Sequence, residues 1–228
     1  MTERLPQEDA VADPGAATGG RSVTSMAQTV AAAQPLLRNR AFLLLWLAQI
    51  FSQTAQNALL LGVLVLVQRR EQSPTHLSLA TFSLVVPSVL FSMLAGVAVD
   101  RLNKKSVLVS ANVLRALASL LFILVERNLF LVYVVSFLFS SVGQFFSPAE
   151  AAAIPLLVRK DQLMTANSLF NLTLSATQLI GLVILAPLLI KLIGIGGFFL
   201  ALLVLFALAA LCTSFLPADR QAPLGLLA

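Results

Sequence analysis

Four charged residues stand close together between two long apolar segments: Asp100, Arg101, Lys104 and Lys105. A carboxylate beside three cations can form ion pairs that break and re-form when the neighbouring segments move. If the preceding segment is a helix, Asp100 lies at its negative end, where an unpaired carboxylate costs roughly 0.3–1 kcal/mol. We therefore predict that Asp100 takes part in a reversible ionic gate, with Arg101 or a neighbouring helix N-terminus as its partner. The plainer interpretation is an ordinary basic turn beside a membrane.

Arg115 is unusual because it lies deep inside an apolar segment, roughly 13 Å from the segment's start at about 1.5 Å per residue of helix. A charge at the centre of a membrane costs at least ~2.5 kcal/mol, so this side chain should face protein or a watery cavity. Asn112 and Ser119 fall on its face of a helix. Two interpretations stay open. Arg115 either meets an anionic ligand or a moving acid in a cavity, or is a structural arginine bound to helix carbonyls or to an acid.

Uncharged polar residues recur at helical spacing in two further segments. The first stripe contains Gln49, Ser52, Gln53, Gln56 and Asn57, and the second contains Asn171, Ser175 and Gln178. Amides on one helix face suit a pathway for an apolar compound with a few hydrogen-bonding groups. The alternative is hydrogen bonding between helices, worth about 0.6 kcal/mol on average. We predict a pathway lined by Gln49, Gln53, Gln56, Asn57, Asn112, Arg115, Asn171 and Gln178.

Six apolar segments must position these residues, and each approaches the ~20 residues that a helix needs to cross ~30 Å of hydrocarbon. They are Phe42–Val67, Leu77–Val99, Val107–Val125, Leu129–Phe146, Met164–Ile190 and Phe198–Leu216. A hydrophobic content of 58% with only 11% charged residues agrees. The sequence therefore predicts an all-α polytopic membrane protein with six transmembrane helices.

Composition and chemistry exclude several classes of protein. The net charge of +5 comes largely from residues at span ends, so no nucleic-acid partner is predicted. Cys212 is the only cysteine, which leaves no internal disulfide and no cysteine-based metal cluster. His76 is the only histidine and is expected in a solvated external loop. Because no carboxylate is expected inside a span, we predict that the chain has no catalytic, metal or cofactor site and is not an enzyme.

The distribution of Lys and Arg predicts the orientation of the chain. The larger set is expected in the cytosol: Arg38, Arg40, Arg101, Lys104, Lys105, Arg159, Lys160 and Arg220. The smaller set is expected outside: Arg69, Arg70, Arg127 and Lys191. Both termini then lie in the cytosol. We predict a disordered tail over residues 1–35, the six-span bundle over 36–217, and a cytosolic end over 218–228.

The charged turn resembles the signature loop of the major facilitator superfamily, which has a G-x-x-x-D-R-x-G-[RK]-[RK] pattern. The matching residues are Gly96, Asp100, Arg101, Lys104 and Lys105. Asn103 stands at the family's second glycine, a position that suits a positive φ, which Asn tolerates best among the other residues. The resemblance implies that this set, with Asn103, is the gating motif.

A second stretch, from Phe145 to Val158, is similar to the loop between the fourth and fifth spans in the macrolide-efflux and enterobactin-exporter branch of that superfamily. Two positions differ: Glu150 stands where the branch often has a basic residue, and Leu156 where it often has an acid. If protons drive transport, Asp100 or Glu150 at the cytosolic mouth could carry them, or a residue outside this chain.

The resemblance implies the N-terminal half of a twelve-helix fold, made of two inverted three-helix repeats. It implies a secondary active transporter of the cytoplasmic membrane that exports a small amphipathic compound by alternating access. The expected partners are the lipid bilayer, the transported small molecule and a second six-helix half, either a missing C-terminal half or another copy. In that case residues 218–228 begin the loop between the halves. The alternative is a transport-incompetent half, a truncated product or an assembly partner.

Overall fold

The computed structural model describes residues 36–217, and every regular element within that range is a helix. Six helices follow one another: α1 Arg40–Arg70, α2 Pro74–Arg101, α3 Lys104–Val125, α4 Leu129–Leu157, α5 Leu163–Leu179 and α6 Ala186–Ser214. A short 3-10 turn, Lys160–Gln162, precedes α5, and a π-helical segment, Ile180–Leu185, joins α5 to α6. The predicted tail over 1–35 and the predicted cytosolic end over 218–228 lie outside the described residues.

The last helical run has to be divided before the spans can be counted. Lys160–Ser214 covers 55 residues, about 80 Å of helix, which far exceeds the ~30 Å of a bilayer core. Gly194 breaks the run, because its φ of 72° and ψ of −178° are not helical. A positive φ of this kind favours glycine. The chain before Gly194 is the fifth span and the chain after it is the sixth.

The charged turn is tighter than the sequence suggested. Asp100 and Arg101 belong to the last turn of α2, and Leu102 and Asn103 alone connect it to α3. The expectation of a positive φ at Asn103 is wrong, since its φ is −68° and its side chain accepts a hydrogen bond from the Ser106 N–H at 3.2 Å. Asn103 is thus the N-cap of α3, a role for which Asn is among the preferred residues.

Helix α4 is longer than predicted, continuing past Phe146 to Leu157 even though it contains Pro148 and Pro155. Its final turns are buried in the hydrophobic core at the end of the bundle that holds the charged turn, and this burial outweighs the backbone hydrogen bonds that the prolines remove. The Asn39 side chain of α1 donates a hydrogen bond to the Leu157 carbonyl at 2.7 Å, so the end of α4 is also satisfied. Consequently Glu150 lies on a helix and not in a loop.

The expectation that His76 is a solvated loop residue is wrong. It lies in the first turn of α2, it is half-buried, and its Nδ1 is 2.9 Å from the Tyr133 hydroxyl on α4. The contact joins the N-terminal ends of these two helices.

Helix packing has an internal symmetry in which α1, α2 and α3 exchange with α4, α5 and α6. The contact of α1 with α6 corresponds to the contact of α4 with α3. The contact of α2 with α4 corresponds to the contact of α5 with α1. The contact of α3 with α6 corresponds to itself. Each set holds three helices, so the second set runs through the membrane in the opposite direction. This is the arrangement of two inverted three-helix repeats.

The packing of α5 on α1 depends on a glycine. A Cβ atom at Gly181 would lie 2.5 Å from the Thr54 carbonyl oxygen and 3.2 Å from the Ala58 nitrogen, both in the α1 backbone. Gly181 lies in the π-helical segment that precedes Pro187. A proline ring collides with the carbonyl four residues earlier in an α-helix, and a wider turn relieves that collision.

We predict that Gly181→Ala lowers the free energy of unfolding by about 1–3 kcal/mol, because backbone cannot move aside as a side chain can. Gly196→Ala is the matched control, since an added Cβ there meets no atom within 4 Å. Thermal unfolding of the purified protein in detergent measures both. Equal melting temperatures for the two variants would contradict the close approach of α1 and α5.

Candidate functional site

The guanidinium of Arg115 lies at the centre of the bundle, midway along α3, and the residue is only 1% exposed. It is held by two side chains of α1. Nη1 donates a hydrogen bond to the Ser52 hydroxyl at 2.8 Å, and Nη2 donates one to the Gln56 amide oxygen at 2.7 Å. The partners are thus neutral side chains, not the helix carbonyls or the paired acid considered from the sequence.

The hydrogen bonds extend from Arg115 along α3 in both directions. Ser52 donates to the Asn112 amide oxygen at 2.9 Å, one turn before Arg115 on α3. Ser119 donates to the Arg115 carbonyl at 3.0 Å within the same helix. The Ser52 hydroxyl thus accepts one hydrogen bond from Arg115 and donates another to Asn112, and both bonds link α1 to α3.

Aromatic rings surround the rest of the guanidinium. Its central carbon lies 5.0 Å from the centre of the Phe146 ring, 5.7 Å from Phe139 and 5.8 Å from Phe206. Phe139 and Phe146 belong to α4, and Phe206 belongs to α6. Each such cation–π contact can stabilise a desolvated cation by about 0.5–2 kcal/mol. The single arginine therefore contacts α1, α4 and α6 from its place on α3.

Gly143 makes room for this arrangement. A Cβ atom at that position would lie 2.8 Å from Nη2 of Arg115, well inside van der Waals contact. The absence of a side chain at Gly143 therefore accommodates the charged group.

A cavity of about 160 Å³ opens beside the arginine, between α1, α2 and α4. Its polar lining comes from Gln56, Asn57 and Ser140, and Gly143 forms part of the same wall. The remainder is apolar: Leu59, Leu60, Leu84, Val85 and Phe139. Because Gln56 and Gly143 both contact Arg115, the buried charge lies directly behind the cavity wall.

The structure brings together part of the predicted pathway. Gln56, Asn57, Asn112 and Arg115 lie at or beside the cavity. Gln49 and Gln53 are buried in α1, and the Gln49 amide donates to the Phe170 carbonyl of α5 at 3.3 Å.

Asn171 and Gln178 are instead exposed on α5, apart from the arginine and its partners. The four amides of the α1 stripe, Gln49, Gln53, Gln56 and Asn57, are by contrast buried or half-buried. The helical spacing on α5 shows that Asn171, Ser175 and Gln178 share one face of the helix. It does not show whether that face points into the bundle or away from it.

The predicted gating residues lie at one end of the described bundle, where α2 is joined to α3. Asp100 and Arg101 are exposed, and among residues 36–217 the Asp100 carboxylate has no ion pair. Lys104 Nζ approaches the Asp100 carbonyl at 3.5 Å. Lys105 Nζ donates to the Leu216 carbonyl at 2.6 Å and so joins α3 to the end of α6. An added Cβ at Gly96 would meet no atom within 4 Å, so packing within the described residues does not require a glycine there.

Comparison with known proteins identifies the family to which this helical bundle belongs. Residues 45–226 match the model of the Major Facilitator Superfamily. The chain belongs to this family. The family is one of transporters, and the all-α polytopic membrane fold predicted from the sequence is confirmed.

Three bacterial relatives align with more than half of this chain. The chain is 27% identical to the uncharacterized MFS-type transporter YkuC of Bacillus subtilis, over 72% of this chain and 36% of that protein. It is 31% identical to the lysophospholipid transporter LplT of Pectobacterium carotovorum, over 68% and 37% respectively. It is 29% identical to macrolide efflux protein A of Streptococcus pyogenes, over 54% and 31%. The resemblance to the macrolide-efflux branch is thus confirmed.

The chain spans about a third of the length of these relatives. No solved structure matches it.

We predict that Gly143→Ala destabilises the fold by about 1–3 kcal/mol, because the new methyl group displaces a guanidinium that is held by Ser52 and Gln56. Gly96→Ala is the control, since the added methyl group there meets nothing. Thermal unfolding in detergent compares the two. If Gly143→Ala melts no lower than Gly96→Ala, the guanidinium is not confined beside α4.

Proposed function

We propose that this chain forms the N-terminal half of a secondary active transporter that exports a small amphipathic compound from the cell by alternating access. The observation that carries the proposal is the partly polar cavity between α1, α2 and α4 in a bundle that belongs to a transporter family. Transporters built from inverted repeats bind substrate near the bilayer midplane. Gln56, Arg115 and Gly143 each lie near the middle of their helices, which is the corresponding depth.

The chemistry of the cavity supports the substrate class. Two amides and a hydroxyl offer hydrogen bonds, the remaining lining is aliphatic or aromatic, and the positive charge is set behind Gln56. Such a site suits a largely apolar compound with a few polar groups. The relative that is named a macrolide efflux protein supports export and a compound of that kind.

The exposed Asp100 and Arg101 support a gate that closes against a second six-helix half. A carboxylate at the C-terminal end of α2 is unfavourable without a positive partner, and the described residues offer it no ion pair. The free space beside Gly96 leaves room for a helix to approach the same turn. We place this turn and both termini in the cytosol of a cell-membrane protein, on the basis of the distribution of Lys and Arg. The second half is a C-terminal half or another copy of the chain.

Transport by the chain itself is tested by reconstituting it into liposomes and following uptake of radiolabelled erythromycin, a macrolide. We expect saturable uptake above protein-free liposomes, loss of that uptake in Arg115→Ala, and little change in Lys191→Ala, which removes an exposed cation at the outer end of α6. Uptake equal to that of protein-free liposomes would reject transport by copies of this chain alone. The chain would then be either the transport-incompetent half of the alternative or a half that transports only with a separate C-terminal half.

Asp100→Asn separates gating from stability. We expect erythromycin uptake to fall by roughly tenfold, because losing about 1.4 kcal/mol from one closed conformation changes a two-state ratio tenfold. The melting temperature should stay the same or rise slightly, since a negative charge leaves the C-terminal end of α2. Asp161→Asn, which removes another exposed cytosolic-side carboxylate, should affect neither quantity. Unchanged uptake in Asp100→Asn would contradict the gate.

A further inference from the structure

Helix α2 carries two apolar grooves, one on each side of Phe82. The first groove has a volume of about 370 Å³ and lies between α2 and α4. The second has a volume of about 380 Å³ and lies between α2 and α1. Phe82 lines both grooves and is 66% exposed, so its ring stands between them as a wedge. Neither groove shares a lining residue with the cavity beside Arg115, so the grooves are separate from the proposed pathway.

The walls of the two grooves require an apolar occupant. Four lining residues carry a hydroxyl group, and each hydroxyl is already hydrogen-bonded within the protein. Ser78, Thr81 and Ser83 donate to carbonyls of α2 at 3.0, 2.9 and 2.7 Å. The Tyr133 hydroxyl is 2.9 Å from Nδ1 of His76. Because no wall hydroxyl needs a partner from outside, an occupant is stabilised mainly by apolar contact.

The grooves lie near the N-terminal end of α2, which is the end of the bundle opposite the charged turn. The Phe91 and Phe137 rings meet edge to face with centroids 6.2 Å apart, and this contact limits the first groove on the side of the charged turn. At the other limit the His76 ring stacks on Tyr133. Both grooves are therefore short, and an occupant extends from them toward the N-terminal end of α2 or into the bilayer.

Charged side chains lie beyond the grooves at this same end. Arg70, at the end of α1, approaches Glu126, in the turn between α3 and α4, at 3.5 Å. Their neighbours in the chain, Arg69, Glu71 and Arg127, are all exposed. Among residues 36–217 none of these three has an ion pair. Two cations and one carboxylate are thus left to bind charges from outside the chain.

The distance between grooves and charges matches the structure of a bilayer. A bilayer measures ~40–45 Å with its headgroups and ~30 Å without them, so each headgroup layer is roughly 5–8 Å thick. Arg69 lies roughly 8 Å beyond Leu64, a wall residue of the second groove, at about 1.5 Å per residue of helix. The charges therefore lie at headgroup depth when the grooves lie in the hydrocarbon. Arginines suit a phosphate, and a carboxylate suits an ammonium group.

We propose that this end of α2 is a binding site for one phosphatidylethanolamine molecule, a two-chain phospholipid whose headgroup carries a phosphate and a primary ammonium. One acyl chain lies in each groove, with Phe82 between them. The phosphate lies near Arg69 and Arg127, and the ammonium lies near Glu71. A lipid with a single chain would leave one groove unfilled, and an anionic headgroup without an ammonium would leave Glu71 unpaired. The site does not require that the chain transport anything, so it stands or falls separately from the proposed function.

The experiment places the full chain in nanodiscs of phosphatidylcholine that contain a small fraction of phosphatidylethanolamine with a photoreactive acyl chain. Mass spectrometry after irradiation locates the labelled peptides. We expect more label on α2 around Phe82 than on α3 around Leu117, an exposed apolar residue at a similar depth. Added unlabelled phosphatidylethanolamine should remove this excess. Unlabelled phosphatidylglycerol, which has a phosphate but no ammonium, should not remove it.

Substitutions in the grooves test the two-chain arrangement. Leu79→Trp fills the first groove and Thr81→Trp fills the second, and in each variant the label on α2 should fall to the level of α3. Val89→Trp is the matched control, because Val89 is exposed on the same helix and lines neither groove. It should keep the excess label. Melting temperatures in detergent check that all three variants are folded.

Glu71→Gln tests the headgroup. It should leave the label on α2 in place but let phosphatidylglycerol compete as well as phosphatidylethanolamine. Equal labelling of α2 and α3, or an excess that neither unlabelled lipid removes, would show only the lipid that surrounds any membrane protein and would overturn the site. Crosslinking of α2 to a second copy of the chain in place of lipid would also overturn it.

Discussion

The structure depends on satisfying one positive charge in the middle of the membrane. Moving an unpartnered arginine into a helix centre costs at least ~2.5 kcal/mol even on insertion scales. Here that cost is offset by the hydrogen bonds that Arg115 donates to α1 and by three aromatic rings of α4 and α6. Since Arg115 itself belongs to α3, four of the six helices meet at one side chain. Their relative positions cannot change without changing its contacts.

The repeat symmetry explains which helices meet there. Helices α1 and α4 are equivalent, and together they provide most of the polar lining of the cavity. Helices α3 and α6 are also equivalent, and they support the site from behind with Arg115 and Phe206. Helices α2 and α5 lie at the edge, and α2 leaves many large apolar side chains exposed. The buried charge and the cavity are thus concentrated where the two repeats meet, while exposed apolar side chains lie at the edges.

Much of this arrangement could be predicted from the sequence, because membrane burial leaves clear signals. The length of the apolar segments gave the helices, and the improbability of a lipid-facing arginine placed Arg115 inside the bundle. The partners could not be predicted in the same way. Ser52 and Gln56 were visible as a stripe, but nothing local indicated that they, and not an acid, would hold the guanidinium.

Other features were missed because tertiary contacts overrule local rules. The predicted span ended at Phe146 and the family resemblance implied a loop after it, yet burial of the surrounding residues keeps α4 helical to Leu157 in spite of Pro148 and Pro155. That difference moves Glu150 from an expected loop to a buried helix face. Gly143 matched a general pattern of small residues, and only the position of the arginine shows what the missing side chain makes room for.

A double-mutant cycle between Arg115 and Gln56 tests the central claim most directly. The free energy of unfolding in mixed detergent micelles would be measured for Arg115→Met, for Gln56→Leu, for the double variant and for the wild type. Hydrogen bonds to a charged group contribute about 1.5–3 kcal/mol, so we predict a coupling energy of that size. Effects that add to within about 0.5 kcal/mol would show that the two side chains act independently, and would contradict an arginine held by α1.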